Sequence, residues 1–436
     1  MTGSPTFAEQ RAQIEGDQLA HLRELVRVLV PANPFWSARL TAARIDHTVA
    51  SLADFRRLPL LTKAEIVSDH ASHPPFGSNL TAPVADYTRV HYTSGTTAEP
   101  LAWPDTPASW QWMLDNWKQI FRAAGVARGD RIFFAFSFGP FLGFWAAFDA
   151  AAQIGVQCLS GGGMSSQKRL HAMVRARSTV LCCTPTYALH LVETARQISL
   201  DPAALALRTV IVAGEPGGSI AAVRNAIRAG LGGEVFDHHG MTEVGPVSFQ
   251  CPARAGTLRI LESSYLAEVI DPRSGELAPE GAEGELVLTT LGRASCPLLR
   301  YRTGDLVRPV FVDEDGGGDG PHLALAGGVL GRTDDVVIVR GVNVYPSAVD
   351  EIVRSIDGIA EYRVGVGTRH AMTELTLEVE PDGTTEPAQV RAALEERLQR
   401  ILSLRIPVVL AAANALPRFE LKARRWVRRT PDEAQS

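Results

Sequence analysis

Cysteine is scarce in this chain, and the few cysteines present form no recognisable framework. The 436 residues include five, an odd number, spread widely between Cys158 and Cys296. Their spacing matches neither a metal site nor a disulfide scaffold. We therefore expect reduced thiols in a cytoplasmic protein.

Long apolar runs and an excess of basic charge are also missing. The most apolar stretch, residues 132–152, is interrupted by glycine, proline and polar residues, so no segment reaches the length of a membrane span. The first 21 residues are polar and acidic, which is not typical of a signal peptide. The formal net charge of −5 argues against a nucleic-acid or membrane-surface binder, because both need a basic footprint.

The patterns that are present predict an α/β fold with two domains, as the chain length also suggests. Short apolar runs alternate with helical patterns from 107 to 240, which indicates βαβ units and a parallel sheet. After about residue 265 the strands are joined by turns, which indicates a small antiparallel subdomain. We expect a large N-terminal domain over 1–332, containing both parts, and a small, mobile α+β C-terminal domain over 333–436.

Two loops are candidates for binding a nucleotide. Thr93-Ser94-Gly95-Thr96-Thr97 lies between two extended segments and offers backbone N–H groups and hydroxyls to a polyphosphate. Ala213-Gly214-Glu215-Pro216 ends an apolar strand, where ligands of α/β sheets usually sit. Each segment taken alone is equally consistent with an ordinary turn.

Two further motifs place a carboxylate beside a hydroxyl or a glycine. His239-Gly240-Met241-Thr242-Glu243 can hold phosphate and Mg²⁺ together, although a helix N-cap with an acidic first turn has the same pattern. Tyr301-Arg302-Thr303-Gly304-Asp305 predicts a tight turn whose aspartate accepts the two hydroxyls of a ribose. Gly331-Arg332-Thr333-Asp334-Asp335 and an isolated lysine among arginines, Lys422, complete the series.

The order and spacing of these motifs resemble the acyl-adenylate-forming superfamily, from about residue 30 to residue 430. That superfamily includes acyl-CoA synthetases, the adenylation domains of peptide synthetases and firefly luciferase. Within it the chain looks most like the phenylacetate–CoA ligase group, by LPLLTKAEI at 58–66, SGGGMSSQ at 160–167 and IVRGVNVYP at 338–346.

The resemblance implies roles for the nucleotide-site residues. Thr242 would contact the α-phosphate of ATP and Glu243 would hold Mg²⁺, while Asp305 would bind the ribose with support from Arg332. His239 stands where relatives usually carry an aromatic ring over the adenine. The residues implied in ATP or AMP binding are Thr93, Ser94, Gly95, Thr96, Thr97, Ala213, Gly214, Glu215, Pro216, Asp237, His238, His239, Gly240, Met241, Thr242, Asp305 and Arg332.

The resemblance also implies a moving lid. Lys422, catalytic together with Thr242 and Glu243, would bridge the carboxylate and the α-phosphate, where a compact cation suits the developing charge. Asp334 would be the hinge, and its rotation would bring Gly341 to the thioester side.

Three departures from the family pattern concern the phosphate loop, a metal and the acid pocket. Ala98 and Glu99 replace the usual Gly-Lys, which should weaken ATP binding. Some relatives hold a structural metal after the GMTE motif, but Arg259 replaces the histidine that would join Cys251, so we expect no structural zinc. The acid pocket has extra aromatic bulk; its expected residues are Phe136, Phe141, Phe144, Trp145, Ala213, Gly214 and Pro246.

We therefore expect ATP- and Mg²⁺-dependent activation of an aryl or arylacetic acid to an acyl-AMP, followed by transfer to CoA. One alternative keeps the adenylation but passes the acyl group to a carrier-protein pantetheine or an amine. A second alternative is a catalytically degenerate nucleotide-binding homologue, which Glu99 favours slightly and the other motifs disfavour. The resemblance also suggests a homodimer.

Overall fold

The computed structural model describes residues 6–93, 100–313, 318, 320–340, 342–369, 372–419 and 423–428. The helices in these residues are α1 (Phe7–Ala32), α2 (Pro34–Ala42), α3 (Leu52–Phe55), α4 (Lys63–Ser72), α5 (Pro107–Ala123), α6 (Trp145–Gln153), α7 (Ser166–Ala176), α8 (Pro185–Gln197), α9 (Ala221–Leu231), α10 (Pro346–Arg354) and α11 (Pro387–Leu402).

The strands in the described residues number twenty-one. They are β1 (Arg89–Tyr92), β2 (Ala102–Asp105), β3 (Arg131–Phe134), β4 (Gln157–Ser160), β5 (Val180–Cys183), β6 (Thr209–Ala213), β7 (Glu234–Met241), β8 (Gly245–Cys251), β9 (Arg254–Ile260), β10 (Tyr265–Ile270), β11 (Gly284–Thr290), β12 (Tyr301–Val307), β13 (Pro309–Val312), β14 (His322–Ala326), β15 (Gly331–Arg332), β16 (Val337–Val339), β17 (Val342–Val344), β18 (Ile359–Arg369), β19 (Met372–Pro381), β20 (Val408–Leu410) and β21 (Trp426–Arg428).

A nine-stranded mixed sheet organises the larger part of the chain, in the order β13-β14-β9-β8-β7-β6-β5-β3-β4. The strands from β3 to β7 pair in parallel, as predicted, and β8, β9, β14 and β13 extend the same sheet antiparallel. Successive side chains of one strand enter different cores: Phe133 joins the cluster under α7, α8 and α9, whereas Phe134 joins the cluster with α5. Both faces of the parallel half are therefore buried, which explains its continuous apolar runs.

Smaller sheets surround this one. The antiparallel sheet β10-β11-β12-β15 is the predicted subdomain, and β1 and β2 form a separate two-stranded hairpin. The predicted α/β class with a parallel sheet and an antiparallel part is thus confirmed, although the large sheet itself is mixed.

One local prediction and one alternative interpretation were wrong. The segment that contains Asp305 is not a tight turn: it lies within strand β12, where Asp305 pairs in register with Arg332 of β15. His239, Gly240 and Met241 lie within β7, and the residues after Glu243 begin strand β8. The N-cap interpretation therefore fails, because the chain reverses into an antiparallel strand at this point.

The last part of the chain forms its own sheet, β20-β19-β18-β21, packed on α10 and α11. Its central hairpin and both helices match the predicted α+β pattern. The short strands β20 and β21 were missed because each has only three residues and pairs in parallel with a distant strand.

No helix in the described parts of the chain is long and apolar enough to cross a bilayer.

Candidate active site

The candidate site lies at the carboxyl ends of β6 and β7, where Ala213 and His238 face each other in register. Gly214 follows with a φ of +98°, a conformation that glycine adopts without strain. Glu215 was expected in the nucleotide site. Its carboxylate accepts hydrogen bonds from the backbone N–H groups of Thr186 (2.9 Å) and Ala423 (2.8 Å).

Asp237 and His238 are consecutive buried residues on β7. Asp237 accepts a hydrogen bond from Ser219 Oγ at 2.5 Å, and burial raises the pKa of Asp237 to about 6. His238 Nδ1 donates to the carbonyl oxygen of Ser248 at 2.8 Å, and the His238 ring lies 4.4 Å from the Trp117 ring, centroid to centroid. Burial lowers the pKa of His238 to about 3, so this imidazole is neutral at pH 7.

The Asp305 carboxylate contacts residues of two other predicted motifs. Its Oδ2 lies 3.1 Å from His239 Nε2, and its Oδ1 lies 3.3 Å from an Arg332 guanidinium nitrogen. Ser248 Oγ lies 3.4 Å from the other ring nitrogen of His239. The predicted ribose site is thus assembled from three segments distant in sequence, and both of its carboxylate oxygens already have partners.

The Thr242–Glu243 turn is held from two directions. Arg293 donates to the carbonyl oxygens of Thr242 (2.8 Å) and Glu243 (2.7 Å), and the Tyr301 hydroxyl donates to Glu243 Oε1 at 3.2 Å. Arg293 also forms a two-bond ion pair with Asp105. Burial alone would lower the pKa of Arg293, but the Asp105 carboxylate raises it above its usual value.

Sequence reasoning missed Asp105 and Arg293. Neither belongs to a recognised motif, and the two are 188 positions apart in the chain. Each of the two charged residues stands among apolar neighbours in the sequence, which suggests burial. This local pattern does not show that the two residues pair with each other.

The aromatic segment before α6 is packed mainly on itself. The Phe136 ring meets Phe141 and Phe144 edge to face, each at 5.4 Å between centroids. Phe136 and Phe144 are 7% and 4% exposed, whereas Phe141 and Trp145 are half-buried. Trp145 Nε1 donates to the carbonyl oxygen of Gly139, which fixes the turn. Of the four expected pocket aromatics, Phe141 and Trp145 therefore retain surface that a substrate can contact.

Pro246, the remaining expected acid-pocket residue, lies on β8 and is buried opposite Gly240 in register. It thus adjoins the same end of β7 as Ala213.

Several predicted residues lie outside the described part of the chain. They are Ser94, Gly95, Thr96, Thr97, Gly341 and Lys422, and the departures Ala98 and Glu99 also fall there. Thr93 is described: its N–H donates to the Leu101 carbonyl, and its hydroxyl accepts from the Leu101 N–H, both at 3.0 Å. These bonds close the β1–β2 hairpin at Thr93, the first residue of the predicted phosphate loop.

Two arginines from the end of the chain reach back to helix α8. Arg418 pairs with Glu380 of β19 (2.7 Å) and with Glu193 of α8 (3.2 Å). Arg425 pairs with Glu361 of β18 at 2.7 Å and approaches Thr186 Oγ1 at 3.4 Å. The predicted hinge residue Asp334 is exposed and accepts a bond from Arg332 at 3.0 Å.

Among the described residues, no group of three or more His, Cys, Asp or Glu side chains could hold a metal ion. Cys251 is buried on β8, and the Arg259 guanidinium lies 5.1 Å from the Phe249 ring centroid.

Comparison with known proteins agrees with this geometry. The AMP-binding enzyme family matches residues 28–295, and the AMP-binding enzyme C-terminal domain matches residues 341–429. Phenylacetate-coenzyme A ligase of Thermus thermophilus is 32% identical over 85% of this chain and 82% of its own length. The phenylacetate-coenzyme A ligase of Aromatoleum evansii is 30% identical over 98% of this chain and 97% of its own length.

A solved structure of 2-hydroxyisobutyryl-CoA ligase in the postadenylation state, with 2-HIB-AMP, has a TM-score of 0.90 at 28% identity. It covers 98% of this chain and 94% of its own. The same enzyme in the thioesterification state, with 2-HIB-AMP and CoA, has a TM-score of 0.71 at 29% identity, covering 96% and 90%. The arrangement of this chain is therefore closer to the postadenylation state.

The fold and the site define an adenylate-forming ligase, which uses ATP to activate a carboxylic acid before passing it to CoA. The chain belongs to the AMP-binding enzyme family. The prediction of an AMP-forming acid–CoA ligase that uses ATP and CoA is confirmed.

Proposed function

We propose that this ligase activates a compact aromatic acid of the aryl or arylacetic class. The observation that carries the proposal is the Phe136–Phe141–Phe144 cluster after β3, whose Phe144 contacts the same Trp117 ring as His238 of β7. Phe141 and Trp145 offer partly exposed rings, and edge-to-face contact suits another aromatic ring. The remaining rings pack against each other, which leaves little room for a long chain. The phenylacetate-coenzyme A ligases among the relatives support the same acid class.

The residues around Asp305 and Glu243 would hold the nucleotide. Asp305, between His239 and Arg332, would accept the ribose hydroxyls, and Thr242 would contact the α-phosphate. Residues 93–97 would bind the β- and γ-phosphates, and Ala213, Gly214 and Pro216 would flank the adenine. The bonds of Glu215 to Thr186 and Ala423 favour a bracing role for that residue instead.

Glu243 fits a Mg²⁺ site, because one of its oxygens is fixed by Tyr301 and no described residue bonds to the other. Mg²⁺ usually takes one or two carboxylates together with substrate phosphates. When bound, it would neutralise phosphate charge, while Arg293 and Tyr301 keep the carboxylate in place.

The C-terminal part, from about residue 333, would act as a lid that carries Lys422 into the site for adenylation. Support comes from the Glu215–Ala423 bond, because Ala423 directly follows Lys422 in the chain. Rotation about Asp334 would then withdraw the lysine and present the Gly341 side for thioester formation. CoA is the expected acceptor, and a carrier-protein pantetheine or an amine remains the alternative.

Acid-dependent pyrophosphate release over a panel of acids tests this proposal. Phenylacetate, benzoate and their substituted forms should outcompete fatty acids of eight or more carbons. Adding CoA, a pantetheinylated carrier protein or hydroxylamine to the best acid identifies the acceptor. Pyrophosphate release confined to aliphatic acids would contradict the aromatic assignment, and its absence with every acid would favour a degenerate homologue.

A further inference from the structure

Arg293 makes four hydrogen bonds that join two separate parts of the candidate site. Its Nε and one terminal nitrogen donate to the two oxygens of Asp105, at 2.9 and 2.7 Å. The other terminal nitrogen donates to the carbonyl oxygens of Thr242 and Glu243, at 2.8 and 2.7 Å. The side chains of Arg293 and Asp105 are 1% and 0% exposed, so water does not compete for these bonds.

Asp105 fixes the hairpin on one side of this pair. It is the last residue of β2 and lies opposite Arg89 of β1 in register. The hairpin closes at Thr93 and Leu101 with two hydrogen bonds of 3.0 Å. Any displacement of Asp105 therefore moves the base from which the proposed phosphate loop extends.

The other side of the pair fixes the turn between β7 and β8. A charged donor on two successive carbonyl oxygens sets the orientation of both peptide planes, and through them the directions of the Thr242 and Glu243 side chains. A fully buried ion pair is costly to desolvate and is often no more stabilising than apolar residues of the same size. A contribution to stability alone therefore does not account for a buried ion pair at this position.

We propose that Asp105 and Arg293 are a positioning pair that sets the spacing between the β1–β2 hairpin and the Thr242–Glu243 turn. The pair touches no substrate itself. This inference rests on the proposed nucleotide roles of residues 93–97, Thr242 and Glu243. It predicts that the pair matters more for ATP than for AMP, because AMP has only the α-phosphate that Thr242 would contact.

A second ion pair offers a matched control. Arg300 donates to both oxygens of Glu268 at 3.0 Å, and its remaining terminal nitrogen donates to the carbonyl oxygens of Arg56 and Leu58. The Arg300 and Glu268 side chains are 8% and 2% exposed. This pair repeats the bonding geometry of the first, but none of its partners belongs to the proposed nucleotide site.

The experiment compares Asp105→Asn with Glu268→Gln in the full-length chain. Three quantities are measured: the KM for MgATP in pyrophosphate release, and the Kd values of AMP and of a non-hydrolysable ATP analogue by calorimetry. Asp105→Asn should raise the KM and the analogue Kd about tenfold or more, because small displacements in a preorganised site are costly. Its Kd for AMP should rise clearly less than the Kd of the analogue, and Glu268→Gln should leave all three quantities within about twofold of wild type.

Arg293→Lys provides a second route if Asp105→Asn does not fold. Lysine keeps the charge but cannot form the planar fork, so it can serve Asp105 or the carbonyls but not both with this geometry. It should weaken analogue binding selectively, as Asp105→Asn does. The inference is overturned if either variant folds and keeps the wild-type ratio of AMP affinity to analogue affinity. It is also overturned if Glu268→Gln loses analogue affinity selectively. A wild-type protein that neither binds the analogue nor releases pyrophosphate would refute the proposed function instead.

Discussion

His239 Nε2 and Asp305 Oδ2 lie 3.1 Å apart, so the imidazole that replaces the usual aromatic ring also contacts the proposed ribose carboxylate. ATP would have to share or displace this bond in order to reach Asp305. His239 is therefore both a candidate stacking surface and a competitor for the same oxygen.

His239→Phe tests this competition. Phenylalanine restores an apolar ring over the adenine and frees Asp305 Oδ2, so the KM for ATP in pyrophosphate release should fall several-fold. The lost hydrogen bond to a charged group should cost about 1.5–3 kcal/mol of stability, seen as a lower melting temperature. A higher KM would mean that His239 holds Asp305 in its binding position, and His239→Gln should then behave more like wild type.

The acid pocket can be probed with two phenylalanines that differ in burial. Phe141 is half-buried and Phe144 is 4% exposed, with Trp117, Phe134 and Phe136 around it. Phe141→Ala should widen the range of accepted acids with little loss of stability. Phe144→Ala should cost about 3–5 kcal/mol by leaving a cavity. Melting temperatures beside an acid panel of graded length distinguish the two roles, and a Phe141→Ala profile identical to wild type would remove that residue from the pocket.

Lys422→Ala should abolish pyrophosphate release by several orders of magnitude, because the lysine would neutralise charge that develops in the adenylation step. Conversion of a synthetic acyl-AMP to the thioester should be spared. Lys168→Ala, at an exposed lysine of helix α7 outside the predicted site motifs, is a suitable control for loss of a lysine. Adenylation at a near wild-type rate would show that another residue performs this role.

Glu193 and Arg418 should favour the adenylation arrangement of the lid, because their ion pair joins α8 to the C-terminal sheet. Glu193→Gln should therefore speed thioester formation relative to adenylation, by a few-fold at most for a partly exposed pair. Glu378→Gln removes the partner of Arg363 within the C-terminal sheet and serves as a control. Equal changes in both half-reactions would mean that the pair has no part in lid rotation.

Acid should destabilise the protein through His238. Its folded pKa of about 3 is below the free value of about 6.5, so the unfolded chain takes up the proton first as pH falls. The stabilising contribution of the neutral imidazole is complete above pH 6.5 and declines toward pH 3, by at most about 1.4 kcal/mol per pH unit. Urea unfolding midpoints between pH 7 and pH 4 should fall more steeply for wild type than for His238→Asn. Parallel slopes would show that His238 is protonated in the folded state as well.

The sequence was informative where chemistry and local pattern coincide. The parallel strands that end at Ala213 and run through His238 followed from apolar runs separated by helical patterns. Asp305 was identified as a candidate ligand from its motif, but its place on β12 was not, because a glycine followed by an aspartate favours a turn unless a partner strand is known. Pairing with Arg332 of β15 decides the conformation, and such pairing is invisible in a local window.

Residues whose role depends on a distant partner were beyond local reasoning. Arg293 belongs to no recognised motif. Its role depends on Asp105 and on two carbonyl oxygens in the turn between β7 and β8. Glu215 was assigned to the nucleotide site from its motif, but the motif did not reveal that its carboxylate bridges Thr186 of α8 and Ala423. In both cases tertiary contacts, rather than propensity, determine what the side chain does.

The described residues on both sides of Lys422 are held to the same C-terminal sheet. On one side, Glu380 accepts bonds from the Asn414 and Leu416 N–H groups and from Arg418; on the other, Trp426 pairs with Val364 of β18. The effective concentration of the lysine proposed for adenylation would then be set by the pose of the whole sheet, which both flanks follow. Lengthening this stretch with glycines would therefore dilute the lysine without altering any contact in the nucleotide site.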